Sequence, residues 1–136
     1  MQDRLKYKVF DKDDKKLHNV IFVNHENNSV EWYNEYDKKR AEFIYEIPIV
    51  ECTGLKDKNG KLIYEGDIIK IEYFDDGIKY RIGVVEWEDD GYCVTYYNAK
   101  DTKVSGCSLV DVANGYNEQK VIGNIYENPE LIGGAE

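Results

Sequence analysis

Apolar positions along this chain recur at every second residue far more often than at every third or fourth. That is the period of a strand with one covered face, not of an amphipathic helix. Leu5, Tyr7 and Val9 alternate with charged neighbours. Leu17 to Val23 and Ser29 to Tyr36 predict two further strands, the latter with Val30 and Trp32 opposite Glu31, Tyr33 and Glu35. Ala41–Tyr45 and Ile47–Cys52 read as short strands, with Pro48 at an edge or a strand start because it offers no N–H to a ladder. Between them lie polar turns: Asp11 to Lys16, Asn24 to Asn28, and Asp37-Lys38-Lys39-Arg40.

The second half repeats the theme. Asp57-Lys58-Asn59-Gly60 is a tight-turn signature, and Leu62-Ile63-Tyr64 is a short apolar segment. Glu65-Gly66-Asp67 turns the chain again. Strands are then predicted over Ile68–Phe74, Lys79–Trp87 and Tyr92–Tyr97, joined by Asp-Gly turns. Gly83 inside the second of these reads as a bulge or a bend. Asn98 to Gly106 reads as a polar loop. Ser108 to Asn114 fits either a short helix or a strand. Lys120–Tyr126 is a last strand, and the chain leaves the sheet at Pro129. The fold class expected is mainly β. A hairpin-built N-terminal subdomain over 1–52 is followed over 53–132 by a small SH3-like barrel or curled antiparallel sheet, with at most one short helix. Residues 133–136 read as a tail, and the two parts can form one compact unit.

The 136 residues suit one domain or two small subdomains, and 42% hydrophobic content is enough for a packed core. Charge is unevenly placed. Residues 1–50 carry 9 basic and 10 acidic side chains, 9 − 10 = −1, and residues 51–136 carry 9 and 17, 9 − 17 = −8. The acidic second part repels a phosphate backbone on average, which disfavours duplex DNA. Cys52, Cys93 and Cys107 are odd in number and far apart, which argues against a disulfide framework or a structural zinc site. The N-terminus has no apolar signal segment and no run approaches membrane-spanning length, so a cytoplasmic protein is expected.

Candidate chemistry is sparse. Asp11-Lys12-Asp13 opens like a calcium loop, but the sixth and twelfth positions are Lys16 and Phe22 where Gly and Glu are required. It reads as a solvated hairpin turn. His18 and His25 have no partner in sequence that would make either a base or a ligand. Cys93 reads as a small buried strand residue rather than a nucleophile. Glu86, Glu88, Asp89 and Asp90, with Asp75 and Asp76, gather carboxylates at hairpin ends, where solvated turns outweigh a cation site. No converging catalytic set emerges, so no enzyme activity, cofactor or metal is expected.

Two long segments resemble a known family. Thr53-Gly54-Leu55, Asp57, Gly60 and Tyr64-Glu65-Gly66-Asp67, with Gly123-Asn124, Tyr126 and Asn128-Pro129, look like the signature of YopX-like prophage proteins. The opening Lys6-Tyr7-Lys8-Val9-Phe10-Asp11 is similar to that family's start. The resemblance implies a small β protein encoded by a phage or prophage of a Gram-positive bacterium, and it brings no catalytic residue. The signature residues read as turn chemistry and buried strand positions. The leading expectation is a non-catalytic protein-interaction or assembly module, a homo-oligomer or the binder of a host or phage protein. The alternative is a single-strand nucleic-acid module, with Lys38, Lys39 and Arg40 as first contacts and strand aromatics as stacking platforms.

Overall fold

The computed structural model describes residues 7–74, 77–88, 91–97, 103–114 and 118–132. The chain divides into two compact units, Met1–Cys52 and Thr53–Glu136. Both are built of antiparallel strands, and the second is a curled half-barrel.

In the first unit, β1 (Tyr7–Asp11) and β2 (Lys16–Asn19) form a hairpin with Val9 opposite His18. β3 (Phe22–Asn24), β4 (Ser29–Tyr33) and β5 (Lys39–Phe43) form a separate three-stranded sheet in that order. After a 3-10 turn over Ile44–Glu46, β6 (Ile49–Lys56) starts beside β1, with Ile49 opposite Val9. Val9, Val20, Val30, Trp32 and Ile47 make the core, which is why alternate positions of β1 and β4 are apolar.

Three local expectations are corrected here. Leu17–Val23 is not one strand. Backbone pairing passes from β1 to β4 at Val20 and Ile21, whose N–H groups donate to Tyr7 O and Glu31 O, and fully buried Val20 anchors the corner. Strand β4 stops at Tyr33 because the Asn34 side-chain oxygen accepts the N–H groups of Tyr36 and Lys38 at 2.9 and 3.0 Å, fixing a turn. Lys39 and Arg40, expected in that turn, belong to β5.

In the second unit, β7 (Leu62–Tyr64) precedes a five-stranded sheet. Strands β8 (Asp67–Phe74), β9 (Ile78–Glu88), β10 (Gly91–Tyr97) and β11 (Lys103–Ser108) run as a meander. Helix α1 (Leu109–Ala113) follows, and β12 (Gln119–Asn124) returns to pair with β8, giving the order β11-β10-β9-β8-β12. A four-strand meander closed by a short helix and a returning strand has SH3-like connectivity. Ile63, Ile69, Ile71, Val85, Val94 and Leu109 fill its core. Each contributes about 1.5–3 kcal/mol over exposure, so this cluster outweighs any surface ion pair at about 0–1. Helix α1 has no side-chain cap, and buried Leu109 docks it.

Again the structure departs from the periodicity. Ladder pairing runs through Gly83 without a register shift, with Ile69 on one side and Tyr96 on the other, so there is no bulge. The glycine is required by close approach: a Cβ there would lie 2.6 Å from Val94 Cγ1 and 3.0 Å from Thr95 O. Lys103 to Gly106, read as loop, are strand β11, because pairing with β10 overrides the polar composition. The last strand ends at Asn124, whose side-chain oxygen accepts the N–H groups of Tyr126 and Glu127. Leu5, Lys6, Asp75, Asp76, Asp89, Asp90, residues 98–102 of the expected loop, Gly115 and the tail lie outside the described residues.

Candidate functional sites

Among the described residues, metal-ligand-type side chains gather at Asp11, Asp14 and His18, whose ligand atoms lie within 4.8 Å of one another. This is the D-x-D turn that reads from sequence as a solvated hairpin, yet Asp11 is 1% exposed. Asp11 Oδ1 accepts the N–H groups of Asp13 and Asp14, and Oδ2 accepts the Trp32 indole N–H at 2.9 Å. Burial pushes the Asp11 carboxyl up, but these hydrogen bonds and the Arg40 charge more than offset it and hold it below its ordinary value. Asp14 Oδ1 accepts Lys16 N–H, while Oδ2 accepts Glu35 N–H and lies 2.6 Å from His18 Nε2. Every carboxylate oxygen here is already an acceptor, so the group is complete as a turn lock. The hairpin register makes the His18 partnership, which no local signal in the sequence marks. Among the described residues Glu86 and Glu88 belong to no such group; Asp75, Asp76, Asp89 and Asp90, read with them from the sequence, lie outside those residues.

The three cations Lys38, Lys39 and Arg40 do not form one patch. Lys39 stands opposite Tyr33 and Arg40 opposite Trp32, so successive side chains project to opposite faces of β5. Lys39 Nζ pairs with Glu31 at 2.9 Å, and Arg40 pairs with Asp13 beside a depression of about 180 Å³. Lys38 is exposed. What the first unit does present is an aromatic face. Phe22, Tyr33 and Phe43 lie on the solvent side of β3-β4-β5 and are 51%, 49% and 41% exposed. Phe43 stacks on the exposed Tyr45 at 5.7 Å between ring centroids.

In the second unit the signature positions build one bonded assembly. Thr53 Oγ1 donates to Ile63 O at 2.8 Å and accepts Leu55 N–H, tying β6 to β7. Asp57 Oδ1 accepts the N–H groups of Asn59 and Lys61, closing the turn at Gly60, whose φ is +81°. Its other oxygen accepts Val121 N–H at 2.9 Å, 64 residues away. Asp67 Oδ2 accepts Tyr64 N–H across Glu65 and Gly66. Gly66 has φ +90°, and a Cβ there would meet Tyr126 Cε2 at 3.2 Å. Burial, then the Glu65 charge, push the Tyr126 hydroxyl up. A Cβ at Gly123 would lie 2.6 Å from Asn128 Oδ1, the atom that accepts Asn124 N–H. Pro129 starts a 3-10 turn, and Gly54 has φ +83°.

Beside this assembly is a cleft of about 300 Å³ lined by Lys58, Lys70 and Lys120, with Glu72 and Glu118. Lys120 sits directly opposite Lys70 in the β8–β12 register. The Lys58 backbone N–H is held by the O and Oε1 of Gln119, which is 2% exposed. Sequence reasoning missed this convergence, because the three lysines are far apart until β12 pairs with β8. Cys93 and Cys107 are half-buried, with Sγ atoms 3.4 Å from Thr95 Oγ1 and the Tyr96 hydroxyl, and no disulfide joins the three cysteines. No helix among the described residues is long and apolar enough to cross a membrane.

Comparison with known proteins places this geometry. The family model described as YopX protein matches residues 6–133. The crystal structure of protein EF1440 from Enterococcus faecalis is similar, with a TM-score of 0.59 at 22% sequence identity, over 93% of this chain and 96% of that one. At that identity the likeness concerns the fold alone. No curated protein matches the chain.

Proposed function

We propose that this chain, which belongs to the YopX family, is a non-catalytic assembly module that meets a second copy of itself through its N-terminal unit. The observation that carries the reading is the solvent face of β3-β4-β5, where Phe22, Tyr33 and Phe43 stand exposed around the Lys39–Glu31 ion pair. Clustered exposed aromatics of this kind are characteristic of interface cores, and a face whose charges already balance can approach its own copy without repulsion. Charge placement favours the same surface. Two copies of a chain with net charge −9 repel, and residues 1–50 carry only −1 of it. An isologous contact then places each aromatic face against the other. As a phage or prophage accessory protein in the bacterial cytoplasm it would act through this surface rather than through a reaction.

Light scattering coupled to gel filtration at about 50 µM tests the reading. Wild type is expected at twice the monomer mass, and Phe22→Glu with Phe43→Glu is expected at the monomer mass with an unchanged circular dichroism spectrum. A wild-type monomer at that concentration, or a dimer indifferent to both substitutions, would overturn it.

A further inference from the structure

The lysine cleft of the second unit points to a ligand that the assembly face does not explain. Residues 51–136 hold nine cationic side chains against seventeen acidic ones, and three of the nine line this one cleft. Like charges directly opposite on paired strands are destabilising, yet the β8–β12 register sets Lys120 against Lys70. Lys58 lines the same cleft, its backbone fixed by bonds to buried Gln119 and by the neighbouring Asp57–Val121 link. Among the described residues none of the three forms an ion pair, although Glu72 and Glu118 share the cleft. Half-buried Lys70 instead places Nζ 4.3 Å from the ring centre of Tyr80, which stands opposite Glu72 on β9 and is 58% exposed. Three point charges, two carboxylates suited to sugar hydroxyls and an exposed ring beside Lys70 match the parts of a nucleotide.

We propose that this cleft binds a nucleotide phosphate, with Lys58, Lys70 and Lys120 on the phosphate oxygens and Tyr80 against the base. The phosphate can come from a free mononucleotide or from the end of a single strand. The inference is independent of self-association, since it uses residues of the other unit alone.

The test is amide chemical-shift mapping of the full chain at low salt with three probes: inorganic phosphate, adenosine monophosphate and a 5′-phosphorylated oligothymidylate. Saturable shifts at Lys58, Asn59, Lys70 and Lys120 with either nucleotide probe are expected. The tighter of the two identifies the source. Lys70→Gln and Lys120→Gln should each weaken nucleotide binding by roughly tenfold, the usual worth of one charged hydrogen bond. Tyr80→Ala should weaken nucleotide binding several-fold and leave inorganic phosphate unchanged. Lys120 and Tyr80 are exposed and Lys70 is half-buried, and an unchanged melting temperature would confirm that the fold is intact. Absence of shifts at these amides overturns the proposal, and so does inorganic phosphate binding as tightly as both nucleotide probes.

Discussion

Replacing Asp57 by alanine tests whether the signature turn locks the barrel. Asp57 is 6% exposed, and its carboxylate accepts three backbone N–H groups, those of Asn59, Lys61 and Val121. The Val121 amide lies half-buried in β12, so its loss of a charged acceptor costs about 2–3 kcal/mol. The Asn59 and Lys61 amides belong to exposed residues where water substitutes, at about 0.5–1 kcal/mol each. The total is about 3–5 kcal/mol, a large share of the roughly 5–15 kcal/mol that holds a typical domain. Asp57→Asn separates the terms. Its amide oxygen keeps the turn, but its NH2 group faces the Val121 N–H, so about 2–3 kcal/mol is lost. Urea unfolding read by circular dichroism gives the totals, and amide hydrogen exchange gives their location. Val121 should lose protection in both variants, whereas Asn59 and Lys61 should keep theirs in Asp57→Asn. If Asp57→Ala costs less than about 0.5 kcal/mol, or if Val121 protection survives it, the lock is not where the bonds place it.

Three further outcomes are expected. The Asp11 carboxyl is depressed, so the unfolded chain takes up a proton first, at about pH 3.9, and its stabilisation is complete above that value and lost as pH falls through the folded one. Asp11→Asn should therefore lower the melting temperature at pH 7, and its difference from wild type should shrink as pH falls below the unfolded value and through the folded one. Gly83→Ala should cost about 1–3 kcal/mol, because its Cβ would press on Val94 Cγ1 at 2.6 Å, whereas Gly91→Ala, with nothing within 4 Å, should stay within about 0.5 in the same denaturation assay. Gly123→Ala should displace the Asn128 side chain and expose the Asn124 amide, which exchange would show as a local loss of protection before any global one.

Period-two alternation is a local property, and it located β1, β4 and β8 because each has a face in a core; the Asp-Gly turns delimited β9 and β10. It failed where the cause lies elsewhere in the chain. Lys103–Gly106 carries no apolar stripe and is a strand because β10 offers it a partner. Val20 and Ile21 divide the stretch from Leu17 to Val23, which reads as one strand, because two different strands claim their N–H groups. The turn residues Asp57 and Gly60 were legible, since the φ they require is local, but the reach of Asp57 to Val121 was not. Charge runs misled in the same way. Lys38-Lys39-Arg40 is contiguous in sequence and divided by the pleat, while Lys58, Lys70 and Lys120 are scattered in sequence and brought together by register.

The position of β12 also bears on how the protein is made. This strand follows every other member of its sheet in the chain, yet it covers the flank of the first of them, β8. As the polypeptide leaves the ribosome, the meander can pair internally, but β8 keeps one bare edge until residues 119–124 emerge. That interval is when a nascent chain is open to a neighbour's strand or to a holding chaperone. A chain that stopped before Gln119 would present the eight-residue β8, with Ile69 and Ile71 of the core on it, as the sheet edge in place of the shorter β12.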